Sequence, residues 1–487
     1  MSEPISPGDL TALLGRWAAG RGPLYRLLAT RLRGLIDEGA LAPGAGLPAE
    51  RRLAARLSVG RGTVVAAYDL LSEERRLVRR RGSGTRVAPG PDPAPGPAPR
   101  THDGSLFLSM FEPVAGTLML TCAAPDAPPP ELHAAYREAT ARVDVLANDI
   151  GYHPAGLLEL RGVIAERFTE RGLPTSPDEV LVTNGAQQAL DLLVRCHVSA
   201  GDTVLVERPT YPGALALFGE AAADVRAVDT GTDGVDVPAL LAGMADVPAL
   251  TYLIPSFHNP TGSVLSPLLR RRIAAAAGEH GGLVVDDETM AHLGFDGPAP
   301  PPLASFPGGE DVVTVGSLSK LVWGGLRIGW IRARRPVLDG LRRTKTLTDL
   351  GGDVLSQLAA AHLLRELDPI SRRRREELRR QHDRLGDELR RRLPDWEFAP
   401  ARGGQTLWVR LPHGDSASFA QVALRHGAAL LPGDSLCAGG GGAEWLRLPF
   451  LADPETLTEA VDRIARAWKH YGQADTPPAP RLGALAV

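Results

Sequence analysis

Between residues 23 and 88 the spacing of apolar positions passes from helical to strand-like. Leu24, Leu27, Leu28, Leu32, Leu35 and Ile36 recur at helical spacing behind Pro23 and stop at Gly39, which predicts an amphipathic helix. Pro48 opens a second, shorter helix with Leu53, Ala54 and Leu57 on one face. A turn at Ser58, Val59 and Gly60 leads into residues 61–71, polar at Arg61, Gly62 and Thr63 and apolar afterwards. Two short helices across a tight turn predict a helix-turn-helix, whose second helix enters the DNA major groove by its N-terminal end. Leu77 and Val78, an arginine-rich stretch, a glycine tip at Gly82 and Gly84, and then Thr85, Arg86 and Val87 predict a β-hairpin wing.

Further along, short apolar runs at 180–183, 203–207, 250–254, 283–287, 312–315 and 328–331 alternate with helical stretches. That alternation predicts an α/β body, a mostly parallel sheet covered by helices, with ligands at the strand ends. Joining the two regions, residues 88–100 place a proline at every second position from 89 to 99, so residues 89–104 are expected to be a semi-rigid extended spacer. Residues 371–393 are dense in arginine, but acids are interspersed and Leu378, Leu385 and Leu389 fall near helical spacing. A solvated amphipathic helix is expected there rather than a second nucleic-acid patch.

Charge sharpens this picture. Residues 21–88 hold 14 Arg against 6 Asp and Glu, a net of +8, so the remainder of a chain whose net charge is −3 sums to −11. A small basic module on an acidic body is the electrostatic footprint of nucleic-acid binding. The 487 residues suffice for several domains, and 44% hydrophobic with 23% charged residues is ordinary globular usage. Cys122, Cys196 and Cys437 lie far apart, which argues against a disulfide framework or a zinc site. No apolar run reaches a membrane span of roughly 18 residues, and residues 1–10 lack a signal-peptide pattern, so a cytoplasmic protein is expected.

The candidate chemistry falls at the predicted strand ends. Asn184 and Gly185, Ala186 and Gln187 join a strand to a helix whose N-terminal amides can hold a phosphate. Tyr211 offers an aromatic face, Asn259 an amide, Asp287 a carboxylate and Lys320 an amine, with Ser317, Ser319 and Arg327 around the lysine. This is the set needed to hold pyridoxal phosphate as a Schiff base. Lys320 would bind the aldehyde, Asp287 pair with the pyridine nitrogen, Asn259 donate to the ring 3-oxygen and Tyr211 stack on the ring. The two serines and Arg327 would complete the phosphate cup.

The stretch LPAERRLAARLSVGRGTVVAAYDLLSEERRLVRRRGSGTRV resembles the GntR-type winged helix. That resemblance implies DNA contacts from Arg51, from Arg61, Gly62 and Thr63 at the start of the recognition helix, and from Gly82 at the wing tip. Gly60 stands where relatives often have Ser or Thr, so an N-cap is expected to be lost. Whether Arg61 reads a guanine edge or a phosphate is left open. Residues 105–487 resemble the fold-type I aminotransferases through Gly151, Tyr152, His153 and Pro154, through Gly185, Ala186 and Gln187, through Arg208, Pro209, Thr210 and Tyr211, and through Ser317, Ser319, Lys320 and Arg447. The whole chain is similar to the MocR-type transcriptional regulators. The resemblance implies an N-terminal extension over 1–22, a winged helix over 23–88, the linker over 89–104, and a body over 105–487 with a smaller C-terminal α+β subdomain from about 365. It also implies a homodimer in which Tyr152 reaches the neighbouring subunit's phosphate, and a substrate carboxylate held by Arg447.

Three positions depart from, or divide, those families. Thr289 stands where many relatives have a tyrosine bonded to the cofactor 3-oxygen. Asn259 is the residue of true aminotransferases, whereas several MocR relatives have an aromatic there. Gly213 occupies the neighbourhood of a second carboxylate-binding arginine. Two functions therefore compete: a DNA-binding regulator that senses pyridoxal phosphate or an amino compound, and an active aminotransferase. The basic winged helix, for which a metabolic transaminase has no use, favours the regulator.

Overall fold

The computed structural model describes residues 5–19, 22–80, 84–88, 110, 115–146 and 148–474. The predicted wing tip Gly82 and the predicted linker over 89–104 lie outside the described residues. The chain packs as two compact units. One gathers the described residues of Met1–Leu120, His413–Leu431 and Glu459–Val487, and the other gathers Thr121–Pro412 and Pro432–Thr458.

In the first unit, helices α1 (Pro7–Leu14), α2 (Leu24–Asp37), α3 (Glu50–Arg56) and α4 (Arg61–Glu73) precede strands β1 (Leu77–Arg80) and β2 (Gly84–Val87). The strands pair antiparallel with Leu77 opposite Val87, which forms the predicted wing. Leu28, Leu32 and Leu35 of α2 pack with Leu53 of α3, Val64, Ala67 and Leu71 of α4, and Leu77 and Val87 of the wing. The Tyr68 hydroxyl donates to the carbonyl of Pro48 at 3.0 Å inside this core, which ties the recognition helix to the entry of α3. Helix α1 was not expected in the N-terminal extension. Ser6 caps it through the Asp9 amide, and Leu10 and Leu14 join the same core. Strand β3 (Leu118–Leu120) pairs parallel with β14 (Ala428–Pro432).

The second unit is built on an eight-stranded sheet. Its strands are β4 (Val180–Thr183), β5 (Thr203–Arg208), β6 (Asp224–Gly231), β7 (Gly234–Val235), β8 (Leu250–Leu253), β9 (Leu283–Asp287), β10 (Val313–Ser317) and β11 (Gly329–Arg332). Their spatial order is β4-β11-β10-β9-β8-β5-β6-β7. Neighbours from β10 to β6 run parallel, whereas β11 is antiparallel to both β10 and β4. The reversal has a simple cause, because the connection from β10 to β11 is too short for a parallel crossover. Strand β6 escaped the apolar-run pattern because it is an amphipathic strand near the sheet edge, with Asp224, Arg226 and Asp229 interleaved.

Strands β12 (Glu397–Phe398), β13 (Thr406–Arg410) and β15 (Trp445–Pro449) pair antiparallel, with Trp408 opposite Arg447. The arginine-dense segment is the helix Leu367–Arg392, which buries Leu378, Leu385 and Leu389. Arg373 pairs with Glu131, Arg379 with Asp296, and Arg384, Arg391 and Arg392 with Glu388. Its positive charge is thus largely matched at short range. Among the described residues no helix is long and apolar enough to cross a membrane.

Candidate functional sites

The topology brings the chemical residues together. Strands β4, β5, β8, β9 and β10 all end at one edge of the sheet, so Gly185, Tyr211, Asn259, Asp287 and Ser317 follow or close neighbouring strands there. Lys320, just beyond β10, donates from Nζ to the carbonyl of Ala123 at 2.6 Å. Burial holds its ammonium below the ordinary lysine range, and Arg447 and Arg327 push the same way against Cys122 and Asp287. An amine that loses its proton more readily is a better nucleophile.

Asp287 is buried at the end of β9. Its Oδ2 accepts from the Tyr252 hydroxyl at 2.6 Å, and its Oδ1 accepts from the Thr289 amide at 2.9 Å. Burial raises its pKa, and those two donors oppose the rise. Sequence reasoning missed Tyr252 because it sits in an unbroken apolar strand, where an aromatic reads as core. The structure puts a phenol on Asp287 from β8, while Thr289 reaches that carboxylate through its backbone.

Tyr211 donates to Gln187 Oε1 at 3.0 Å, and Gln187 donates to the carbonyl of Gly213 at 3.0 Å. A Cβ on Gly213 would stand 2.5 Å from the Tyr211 ring. Any side chain at 213, an arginine included, would displace that ring. Asn259 is buried, and its Oδ1 has no hydrogen-bond partner among the described residues. Buried amides are normally satisfied, so this atom waits for a ligand or a water.

Beside the lysine, Ser317 Oγ lies 2.8 Å from Ser319 Oγ and accepts the Ser319 amide at 3.0 Å. Arg327 donates to the carbonyl of Asn184 at 2.6 Å, just ahead of Gly185. Gly185 caps the helix Ala186–His197 with φ of 83°, and a Cβ there would come within 2.7 Å of the Arg327 guanidinium. The start of a helix, an arginine and paired serines could hold a phosphate. This set of groups fits pyridoxal phosphate: an amine, a carboxylate, a buried amide, an aromatic face and a candidate anion cradle at one sheet edge.

Arg447 on β15 is buried, donates to the carbonyl of Thr121, and makes no ion pair with an acid among the described residues. Burial lowers its pKa to about 10. A buried guanidinium without a carboxylate partner is prepared for an anionic ligand. Residues 121–123 are therefore clasped by both cations, Arg447 at Thr121 and Lys320 at Ala123, which places the unforeseen Cys122 between them. Tyr152, by contrast, is 62% exposed and shares that exposure with Ile150, Leu158, Leu347 and Leu350.

An unforeseen buried pair joins the end of β5 to the segment after β8. Glu207 at the end of β5 accepts from the Ile254 amide at 2.6 Å, and its Oε2 is 3.5 Å from His258 Nε2. Burial pushes the Glu207 carboxyl up to about 8 and the His258 imidazole down to about 3. An acid raised this way contributes stability that is complete below its unfolded value of 4.5 and is lost as pH rises through about 8. His258 has the opposite slope, between about 3 and 6.5. Glu207→Gln should therefore lose less unfolding free energy than the unmodified protein between pH 6.5 and 8, as read by denaturant titration at both pH values. Parallel losses would show that Glu207 is ionised in the folded state.

On the basic module, Gly60 precedes α4 without any side-chain cap, as expected. The Arg61 side chain is 69% exposed, and its nearest acid is Glu50 at 3.9 Å. Arg51 and Gly62 are exposed and Thr63 is half-buried. Part of the positive charge is spent within the module: Arg33 pairs with Glu74, Arg76 with Asp37, and Arg79 with Asp69.

Residues 129–464 match the class I and II aminotransferase family, and residues 24–87 match the gntR family of bacterial regulatory proteins. The transcriptional regulator TauR of Rhodobacter capsulatus is 30% identical over 92% of this chain and 97% of its own length. The regulator MocR of Rhizobium meliloti is 27% identical over 92% and 94%. Among solved structures, the α-aminoadipate aminotransferase LysN of Thermus thermophilus, complexed with N-(5'-phosphopyridoxyl)-L-leucine, superposes with a TM-score of 0.66. It is 32% identical, covering 74% of this chain and 94% of LysN.

Proposed function

Because the chain belongs to the MocR-type regulators, in which a gntR-type winged helix precedes a class I and II aminotransferase body, we propose that it is a cytoplasmic transcriptional regulator whose DNA binding answers to pyridoxal phosphate or to an amino compound that meets it. The observation that carries this reading is the presence, in one chain, of an exposed Arg61 opening a recognition helix and of Lys320 within an intact cofactor-shaped site.

When bound, pyridoxal phosphate supplies an aldehyde that condenses with amines and a ring that withdraws electrons. Each residue then has a task. Lys320 would hold the aldehyde carbon and, when released from it, would offer a free amine able to accept or return a proton there. Asp287, steadied by Tyr252 and Thr289, would pair with the pyridine nitrogen, and Asn259 would meet the 3-oxygen. Tyr211 covers one ring face. Ser317, Ser319, Arg327 and the amides after Gly185 take the phosphate, with Tyr152 serving the site of a second copy. Arg447 would orient a carboxylate, so an amino compound sensed at this site would carry one. Arg51, Arg61, Gly62 and Thr63 would meet double-stranded DNA, with Gly82, outside the described residues, assigned to the same role by resemblance, and the exposed apolar residues near Tyr152 would form the homodimer face.

The test is to select DNA from a random pool with the unmodified protein and titrate the enriched sequence with and without pyridoxal phosphate. A cofactor-dependent change in affinity is expected. Selective binding that is indifferent to the cofactor and to amino acids would reduce the protein to a simple DNA binder, and the absence of selected DNA would leave the aminotransferase reading.

A further inference from the structure

Within the first compact unit, the ends of two winged-helix helices meet the helix Ser416–Arg425. Helix C-termini leave carbonyls without intrahelical partners. Here those at the ends of α1 and α3 find side chains from the body. Gln421 donates to the carbonyl of Gly15, the cap of α1, at 3.0 Å. Ser418 donates to the carbonyl of Arg56, the last residue of α3, at 2.6 Å. Arg425 donates to the carbonyl of Ser58, in the turn of the helix-turn-helix, at 2.9 Å. Arg56 returns an ion pair to Asp415 at 2.7 Å.

Ser418, Gln421 and Arg425 are spaced three and four residues apart, so they form one face of their helix. The guanidinium of Arg425 also suits the negative end of α3. The opposite face is anchored: Phe419 packs against Trp468 and Tyr471, and the Tyr471 hydroxyl accepts from the Asp415 amide at 3.0 Å. Asp415 itself caps the helix through the Ser418 amide. The contact leaves Arg51, Arg61 and Gly62 exposed, so it holds the reader without covering its reading end.

We propose that the Ser418, Gln421 and Arg425 face is a seat for the chain's own DNA reader, fixing the direction in which the recognition helix points. The segment His413–Leu431 is joined at both ends to the other unit, so a displacement of either end is passed to the seat through the chain itself. The seat stands on the contacts alone. Its consequence for DNA rests on the regulator reading, and the two are tested separately.

Hydrogen exchange on the full-length protein reads the seat directly. Gln421→Ala combined with Arg425→Met should speed exchange roughly tenfold around residues 53–60 and in the helix Ser416–Arg425, the effect of about two net hydrogen bonds, with the rest of the chain unchanged. Should that variant exchange faster everywhere, Arg56→Ala decides from the other side of the contact. The same local pattern supports the seat, and no local change overturns it. On selected DNA, moving one half-site by about five base pairs, half a helical turn, should weaken the unmodified protein at least tenfold and the seat variants much less. Equal discrimination by all of them would overturn the orienting role. Failure of the unmodified protein to select any sequence would instead remove the regulator reading and leave the exchange result standing.

Discussion

Lys320→Ala should abolish all borohydride-trappable cofactor and, with it, most of the stabilisation that pyridoxal phosphate gives the fold. The Lys320 amine is an amine of lowered pKa at the edge where Asp287 and the phosphate cradle meet. Of the other two lysines, Lys345 is buried and committed to Asp349 at 2.7 Å, and Lys469 is exposed on the helix Pro454–Ala474 in the other compact unit. At a cofactor concentration about a hundredfold above Kd, the unmodified protein should gain about 2.7 kcal/mol against unfolding, a gain that depends on binding the folded state alone. The variant should keep only what the cradle provides without the covalent bond. Reduction followed by mass measurement, alongside thermal unfolding with and without cofactor, checks both parts. A reduced adduct on the variant would move the covalent role to another residue.

Arg61→Ala should weaken selective DNA binding by about 1–3 kcal/mol if Arg61 meets a base edge. If it meets a phosphate, the loss should be similar on every sequence and the salt slope should fall by about one unit. The reason is exposure: most of the Arg61 side chain is open to solvent, and its nearest acid, Glu50, is only loosely placed at 3.9 Å. Neighbouring arginines such as Arg76 and Arg79 already hold acids, so they can donate less to DNA. Cofactor trapping should be unchanged, because Arg61 and Lys320 belong to different compact units. Fluorescence anisotropy on selected and scrambled DNA at several salt concentrations separates the base edge from the phosphate.

The parts of this fold legible in the sequence are those that local periodicity encodes. The apolar spacing of Leu28, Leu32 and Leu35 gave α2, and unbroken apolar runs gave the strands buried on both faces, β4, β5, β8, β9 and β10. Strand β6 was hidden because its charges alternate, and α1 because a short helix in an assumed extension carries few apolar residues. Lys320, Asp287, Asn259 and Tyr211 could be listed in advance because each follows a strand. Tyr252, Cys122 and the Glu207–His258 pair could not, because nothing in their own neighbourhoods separates them from core or loop residues. They matter through what the fold sets beside them. The same holds for the seat: Ser418, Gln421 and Arg425 read as an ordinary amphipathic helix until the ends of α1 and α3 are placed against them.

In the proposed function, cofactor chemistry in the body reaches the DNA reader through Lys320. The measurement that tests it most directly is a titration of selected DNA with the unmodified protein and with Lys320→Ala, each with and without pyridoxal phosphate. The two proteins should bind non-specific DNA alike, because arginines supply that affinity. Only the unmodified protein should change its affinity for the selected sequence when cofactor is added. An equal cofactor response in Lys320→Ala would contradict that route.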